Sequence, residues 1–184
     1  MRKLIFGTNL TLDGCCDHTK GIADDALHDY FTNLLKDSDT FVYGRKTYEL
    51  MVPFWPDMAR NKSGGTKALS DFAETFSSVK QIVVFSRTLT QVDERNAILN
   101  KGDLREEILK LKNQEGGNIM TGGVDIPSQL MQLGVVDEFH FVIHPMITGK
   151  GTRLLENITL DQQLKLESSE RVGSHHVALR YTKL

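Results

Sequence analysis

One feature constrains this chain more than any other: short apolar, β-branched stretches alternate from end to end with stretches whose apolar residues recur at helical spacing. That alternation is satisfied by a sheet with helices laid on its faces, the α/β class. Residues 2–10 read as a first strand, and a polar loop leads to a helix over 24–36 with Leu27, Phe31, Leu34 and Leu35 on one face. "TFVYG" (40–44) reads as a second strand and "RKTYELM" as a short helix, which Pro53 and Pro56 are expected to end. "NKSGG" (61–65) is a loop, 66–77 a helix, and "KQIVVFSR" (80–87) carries a five-residue apolar run suited to a central strand. Asp103 and Glu106, in capping-box spacing, open a surface helix. Next come a short strand at 118–121, a double glycine, and a helix whose Ile126, Leu130 and Leu133 face the sheet, closed by Gly134. "VVDEFHFVIHPMI" (135–147) is a further strand, and 165–184 form an antiparallel hairpin around Gly173. Nothing in this series repeats, so residues 1–184 are expected to form one domain.

Composition narrows the functional classes. A net charge of -2 supplies no global field for nucleic acid or anionic membrane, so phosphate recognition must be local. No apolar run approaches a membrane span or a signal-peptide core, which points to the cytoplasm. Cys15 and Cys16 are adjacent, a spacing that suits neither a disulfide framework nor a zinc knuckle.

In open α/β sheets ligands settle at the carboxyl ends of the strands. Three strand ends here share one chemistry: Gly44-Arg45-Lys46-Thr47, Ser86-Arg87-Thr88 and Gly122-Gly123. Glycine lets backbone N–H groups approach an anion, and a helix beginning there adds its positive end. Lys46-Thr47 invites comparison with an NTPase phosphate loop, but Arg45 stands where that loop needs glycine, and the dinucleotide fingerprint GxGxxG is absent from "GGVDIP". Two glycine turns plus a separate Ser-Arg pair match a diphosphate with a third phosphate gripped by arginine, the layout of a nicotinamide dinucleotide phosphate.

The order strand, "GRKT", strand, "SR", strand, "GG", helix resembles the dihydrofolate reductase superfamily. The stretch "GGVDIPSQLMQLGVVDEFHFVIHPMITGKGTRLLE", with "NLTLDG" near the N-terminus, is similar to the reductase domain of the bifunctional riboflavin biosynthesis deaminase/reductase. The resemblance implies a three-layer α/β/α fold with a mixed, mostly parallel central sheet and a C-terminal antiparallel hairpin. It also implies NADPH as cofactor, a small-molecule substrate, a homodimer, and an activity like that of 5-amino-6-(5-phosphoribosylamino)uracil reductase. Carried over by position, Gly44, Arg45, Lys46 and Thr47 meet the diphosphate and adenosine end, and Ser86 and Arg87 the 2'-phosphate. Gly122, Gly123, Val124 and Ile126 line the diphosphate and nicotinamide ribose, and Thr8 and Asn9, at the end of the first strand, lie near the nicotinamide. Folate reductases carry an acid one turn before the helix Phe; here that place is Leu27, or His28 when counted back from Gly44. A divergent folate reductase is thereby disfavoured, and a nucleotide-binding sensor without turnover stands as the rival reading.

The proton donor is the open question. Asp24 shares the inward face of the first helix and can reach the cleft, or it is simply a first-turn acid complementing the helix dipole. Asp13 is either an Asp-Gly turn residue or a catalytic and substrate contact. His28, Phe31 and Trp55 are substrate-contact candidates, Trp55 equally as loop or core packing. His140 and His144 share a strand face without a third metal ligand in view, and His175-His176 read as non-catalytic.

Overall fold

Strand β1, Leu4–Thr11, lies inside a sheet that takes in every other strand. The structure is a computed structural model and describes all residues except 17, 18, 20, 62–64, 94, 95 and 157. After β1 come helix α1 (Asp25–Lys36), β2 (Ser38–Gly44), α2 (Arg45–Asn61), α3 (Lys67–Ser77), β3 (Gln81–Phe85) and β4 (Ala97–Asn100). They are followed by α4 (Leu104–Lys112), β5 (Asn118–Thr121), α5 (Asp125–Gln132), β6 (Glu138–His144), β7 (Leu164–Val172) and β8 (His176–Lys183). The strand order is β4-β3-β2-β5-β1-β6-β8-β7, with β8 alone running opposite to the other seven strands.

Register sorts the side chains into two faces. Ile5 of β1 is level with Met120 and Glu138, and Met120 with Phe41, so these residues share a face with Gly7, Tyr43, Val142 and His144. Helices α1, α2 and α3 cover it through Leu27, Leu35, Val52, Phe72 and Phe76. Leu4, Phe6, Val42 and Ile119 point the other way and pack beneath Ile108 and Leu111 of α4 and Ile126 and Leu130 of α5. The expected three layers are present, with apolar cores on both faces of the sheet.

Local chemistry accounts for the helix starts. Asp24, Thr66 and Asp103 accept hydrogen bonds from the N–H groups of Leu27 (2.9 Å), Leu69 (3.3 Å) and Glu106 (2.9 Å), each satisfying a donor with no partner inside its helix. Gly134, at φ +65°, turns the chain after α5. Gly173, at φ +59°, makes the β7–β8 turn.

Four expectations need correction. Pro53 and Pro56 do not end α2, which continues to Asn61. Between them Trp55 packs its ring 4.5 Å from that of Phe72, and this contact holds a helix that has lost two backbone donors. Strand β4 was not expected; it pairs with β3 at the sheet edge, and its burial is too slight to impose an apolar pattern. Leu133 is 39% exposed because α5 stops at Gln132 and the helical spacing no longer applies. Strand β1 reaches Thr11, so Thr8 and Asn9 lie within it and not at its end. Residues 62–64 of the 61–65 loop, and 17, 18 and 20 of the loop before α1, lie outside the described residues.

The edge of the sheet opposite the strands' carboxyl ends is tied by charge. Arg2, 7% exposed, pairs with Asp39 and donates to Thr40 Oγ1 (2.7 Å) and the Gly117 carbonyl (2.6 Å). Burial alone would raise the Asp39 carboxyl. Hydrogen bonds from Gly117 N–H, Thr40 and Lys80, with the Arg2 charge, hold it below the ordinary carboxylate range instead. Its contribution is complete above that range and is lost as pH falls through the lowered value. Asp39→Ala, which leaves the buried guanidinium without its counter-charge, is expected to cost about 3 kcal/mol in urea unfolding at neutral pH, with the gap to the parent closing in strong acid.

Candidate functional site

A parallel sheet opens where a strand outruns a neighbour. β1 pairs with β5 only through Leu4–Phe6, against Ile119–Thr121, but with β6 through Ile5–Thr11 as far as His144. Beyond Phe6 the β5 side of β1 therefore has no ladder. Gly7 has no room for a side chain on the face under α1: a Cβ there would overlap Met120 and lie 3.2 Å from Leu34, with Phe31 at 3.5 Å. Thr8 and Asn9 follow on the unpaired stretch, Thr8 half-buried and Asn9 exposed.

The three glycine- and arginine-bearing strand ends sit side by side, because β3, β2 and β5 are consecutive in the sheet. Gly44 joins β2 directly to α2, and a Cβ on it would come within 3.0 Å of Ile126 Cγ1. Gly123, at φ +88°, is pressed so closely on Thr47 that a Cβ would overlap the Thr47 hydroxyl. The starts of α2 and α5 thus meet through Gly44, Thr47, Gly123 and Ile126. Ile126 is only 6% exposed, so its side chain belongs to this packing and not to a ligand surface. No side chain caps α5, whose N-cap residue is Val124, and the first turn of α2 carries no acid. The α2 N-terminus keeps its positive potential for an anion, whereas α5 keeps uncapped donors beside the first-turn carboxylate of Asp125, which offsets its positive end.

Arg45 reaches across to the next strand end, donating to Thr88 Oγ1 (3.3 Å) and standing 3.9 Å from Glu49. Ser86 Oγ accepts from Thr88 N–H (3.2 Å) and Leu89 N–H (3.0 Å), shaping the turn after β3. That role was not foreseen for Ser86. Arg87 and Lys46 are exposed and make no hydrogen bond or ion pair among the described residues.

On the α1 side the candidates separate. Asp13 does not serve as a proton donor: its carboxylate accepts from Thr11 Oγ1 (2.6 Å), Gly149 N–H (2.8 Å) and Thr148 N–H (3.2 Å). The Thr11 hydroxyl foremost, with these backbone donors, holds it ionised far below the ordinary carboxylate range, and it staples the loop after β1 to the one after β6. Asp24 lies just outside α1 as its cap, with Oδ1 on Leu27 N–H and Oδ2 turned towards His176 Nδ1 at 3.7 Å. His28 packs 6.3 Å from Trp55 and 6.0 Å from Phe72, ring centre to ring centre. Trp55 is half-buried and serves core packing, while Phe31 packs beside Gly7 with Leu34 and Met120.

Two groups escaped the sequence reading. His176 is fully buried and forms a cluster with Asp24 and His144; the inward parity of His176, Ala178 and Arg180 along β8 was the available signal. Glu138, 5% exposed, gathers Arg180 Nε (2.7 Å), His140 Nε2 (2.8 Å) and Lys3 (3.3 Å), and His140 Nδ1 meets Tyr30 Oη at 2.7 Å. Burial first, then the Glu170 charge, raises the Tyr30 hydroxyl to about 12.

Comparison with known proteins agrees with this architecture. The family described as the RibD C-terminal domain matches residues 2–178. The uncharacterized protein YyaP of Bacillus subtilis is 32% identical over 98% of this chain and 94% of its own. Among solved structures, a putative riboflavin biosynthesis protein from Shewanella superposes with a TM-score of 0.76 at 19% identity, covering 100% of this chain and 99% of that one. A Thermotoga maritima diaminohydroxyphosphoribosylaminopyrimidine deaminase/5-amino-6-(5-phosphoribosylamino)uracil reductase gives 0.68 at 17%, over 100% and 57% of the two chains. Enterococcus faecalis dihydrofolate reductase complexed with NADP(H) gives 0.61 at 14%, over 98% and 96%. The fold is dihydrofolate reductase-like.

The two glycines after β5 are expected to behave differently. Gly123→Ala combines a left-handed backbone with overlap on Thr47 and should cost about 1–3 kcal/mol in chemical denaturation. Gly122→Ala, whose Cβ would sit 3.5 Å from the Gly7 carbonyl in ordinary contact, should cost clearly less.

Proposed function

The chain belongs to the RibD C-terminal domain family, and we propose that it is a cytoplasmic NADPH-dependent reductase acting on a C=N or C=O bond of a small heterocyclic or sugar-bearing substrate. The observation that carries this reading is the meeting of the β2 and β5 ends, with the acid-free N-terminus of α2 beside the uncapped start of α5 and the β3 end adjoining them. Uncapped donors at α5, the close backbone approach at Gly123, and unpaired Arg87 and Lys46 are a fitting donor set for a diphosphate and a third phosphate. In this reading Gly44–Thr47 and Gly122–Val124 hold the diphosphate, the backbone at Ile126 contributes an N–H, and Ser86 and Arg87 flank the 2'-phosphate. Thr8 and Asn9 border the nicotinamide on the unpaired stretch of β1. NADPH, when bound, supplies a hydride.

The substrate reading leans on the riboflavin-pathway reductases, by family and by the Thermotoga likeness. A divergent folate reductase fits less well, since buried Leu27, 4% exposed, stands where those enzymes carry an acid. The same residue is the ground for a second reading, an NADP(H)-binding sensor without turnover. Cys15 and Cys16 stand as thiols and not as a disulfide, which fits a reducing compartment, and among the described residues no helix is long and apolar enough to cross a membrane. Exposed Leu166 (51%) and Val177 (44%) on the outer hairpin favour a homodimer over a monomer.

Nucleotide binding is read directly from NADPH fluorescence. Arg87→Ala is expected to weaken NADPH by about tenfold or more and to leave NADH nearly unchanged, since the 2'-phosphate is what the guanidinium grips. Equal losses for both nucleotides would remove Arg87 from the site. NADPH oxidation with pyrimidine, folate and quinone panels then separates the two readings: turnover with any of them marks a reductase, and binding with none turned over marks the sensor.

A further inference from the structure

The segment that leads into α1 rests on a single histidine. Ile22 N–H donates to His144 Nδ1 at 3.3 Å, and Gly21 lies against the same ring, where a Cβ would come within 3.0 Å of Cε1 and 3.2 Å of Nδ1. His144 is the last residue of β6 and is 3% exposed, so its imidazole is a buried seat at the carboxyl edge of the sheet. Among the described residues no other hydrogen bond joins Gly21 or Ile22 to the sheet. Whatever alters this ring therefore alters how the chain enters α1.

The donor fixes the state of the ring. Accepting from Ile22 N–H requires a lone pair on Nδ1, so the seated imidazole is neutral and carries its hydrogen on Nε2. A proton added at Nδ1 replaces the lone pair with a second donor facing Ile22 N–H, and the contact turns repulsive. Burial first, then the charge of His176 on β8, disfavours that proton, while Asp24, between Ile22 and α1, favours it. His176 is 0% exposed with its ring centre 4.4 Å from that of His144, and His175 lies beyond it, 6.4 Å from His176. Thr11, abreast of His144 on β1, carries no charge. The balance holds His144 below the ordinary histidine value while the segment is seated.

We propose that His144 is an acid-sensitive latch: its neutral ring holds Gly21 and Ile22 against the end of β6, and its protonation releases them. The sign follows from linkage. Once the segment has left, the ring meets water and titrates nearer the ordinary histidine value of about 6.5, whereas in the seated form it titrates lower. Seating is therefore at full strength above that ordinary value. Below it, seating weakens by up to about tenfold per pH unit until the lowered value is reached. An apolar residue would fill the space without accepting from Ile22, and an amide would accept at every pH. Imidazole accepts and then withdraws as the solution acidifies. Neither nucleotide nor substrate enters this step, so the latch stands apart from the reductase reading.

The test is amide hydrogen exchange of Ile22 in the full-length protein from about pH 8 down to about pH 5, corrected for the exchange of an unstructured chain at each pH. The ¹⁵N signals of the His144 ring are read alongside, and the amide of buried Val142 on β6 reports global unfolding. In the parent, the Nε2–H tautomer is expected at the upper end, and protection of Ile22 should fall about threefold or more along the titration of His144 while Val142 stays protected. His144→Asn, whose Oδ1 takes the place of Nδ1 and does not titrate, should keep Ile22 protected throughout. His144→Phe should leave it unprotected at every pH; should that variant fail to fold, the parent and His144→Asn carry the comparison. Protection of Ile22 that ignores pH in the parent, the opposite tautomer, or the same fall in His144→Asn as in the parent would overturn the latch.

Discussion

Unequal pairing along β1 is the constraint on which the rest of the structure depends. A parallel strand bonded on both sides is closed to ligands, and β1 is so bonded only through Phe6 on its β5 side. From Gly7 onwards the ladder to β6 alone keeps it extended, and the freed edge becomes one wall of an opening. Gly7 without a side chain admits Met120, Leu34 and Phe31 against β1, and Gly122 after β5 comes close to the Gly7 carbonyl. This freed edge lies at the carboxyl ends of the strands, where ligands of open α/β sheets settle.

The two ends of the sheet divide the electrostatic work. At one end, buried charges are matched: Arg2 with Asp39, Lys112 with Asp137, and Glu138 with Arg180 and Lys3. Burial would raise the Glu138 carboxyl, but Arg180, His140 and Lys3 bring it down to about 2, so the acid stays charged inside the protein. At the carboxyl ends of the strands the balance is left open instead. Arg87 and Lys46 are unpaired among the described residues, α5 lacks a side-chain cap, and His144 and His176 have unsatisfied ring nitrogens. Ser38 Oγ at the start of β2 and His28 Nδ1 on α1 also lack partners among the described residues, so the open groups are concentrated at this edge without being confined to it.

Much of this was legible residue by residue. The caps Asp24, Thr66 and Asp103 follow from local hydrogen-bond chemistry, and the buried strands "FVYG" and "QIVVF" from apolar runs too short for helices. Other features were not legible because their cause lies far along the chain. α2 survives two prolines through Trp55 on Phe72, a contact between separate helices. Asp13 loses its catalytic candidacy to backbone donors at Thr148 and Gly149, more than 130 residues away. His176 looked idle beside His175 until the hairpin turned it into the protein against Asp24.

By itself, then, the sequence determined the α/β class, the order of the elements other than β4, and the three glycine- and arginine-bearing strand ends, because these depend on periodicity, capping and glycine placement within a few residues. Only the tertiary structure decided which of those ends are neighbours, where β1 parts from β5, and which acid faces which histidine. The physical reason is that strand order and hairpin docking bring together groups whose separation in sequence carries no trace of their contact. Gly123 on Thr47, and Asp24 beside His176, exist only once the sheet has assembled.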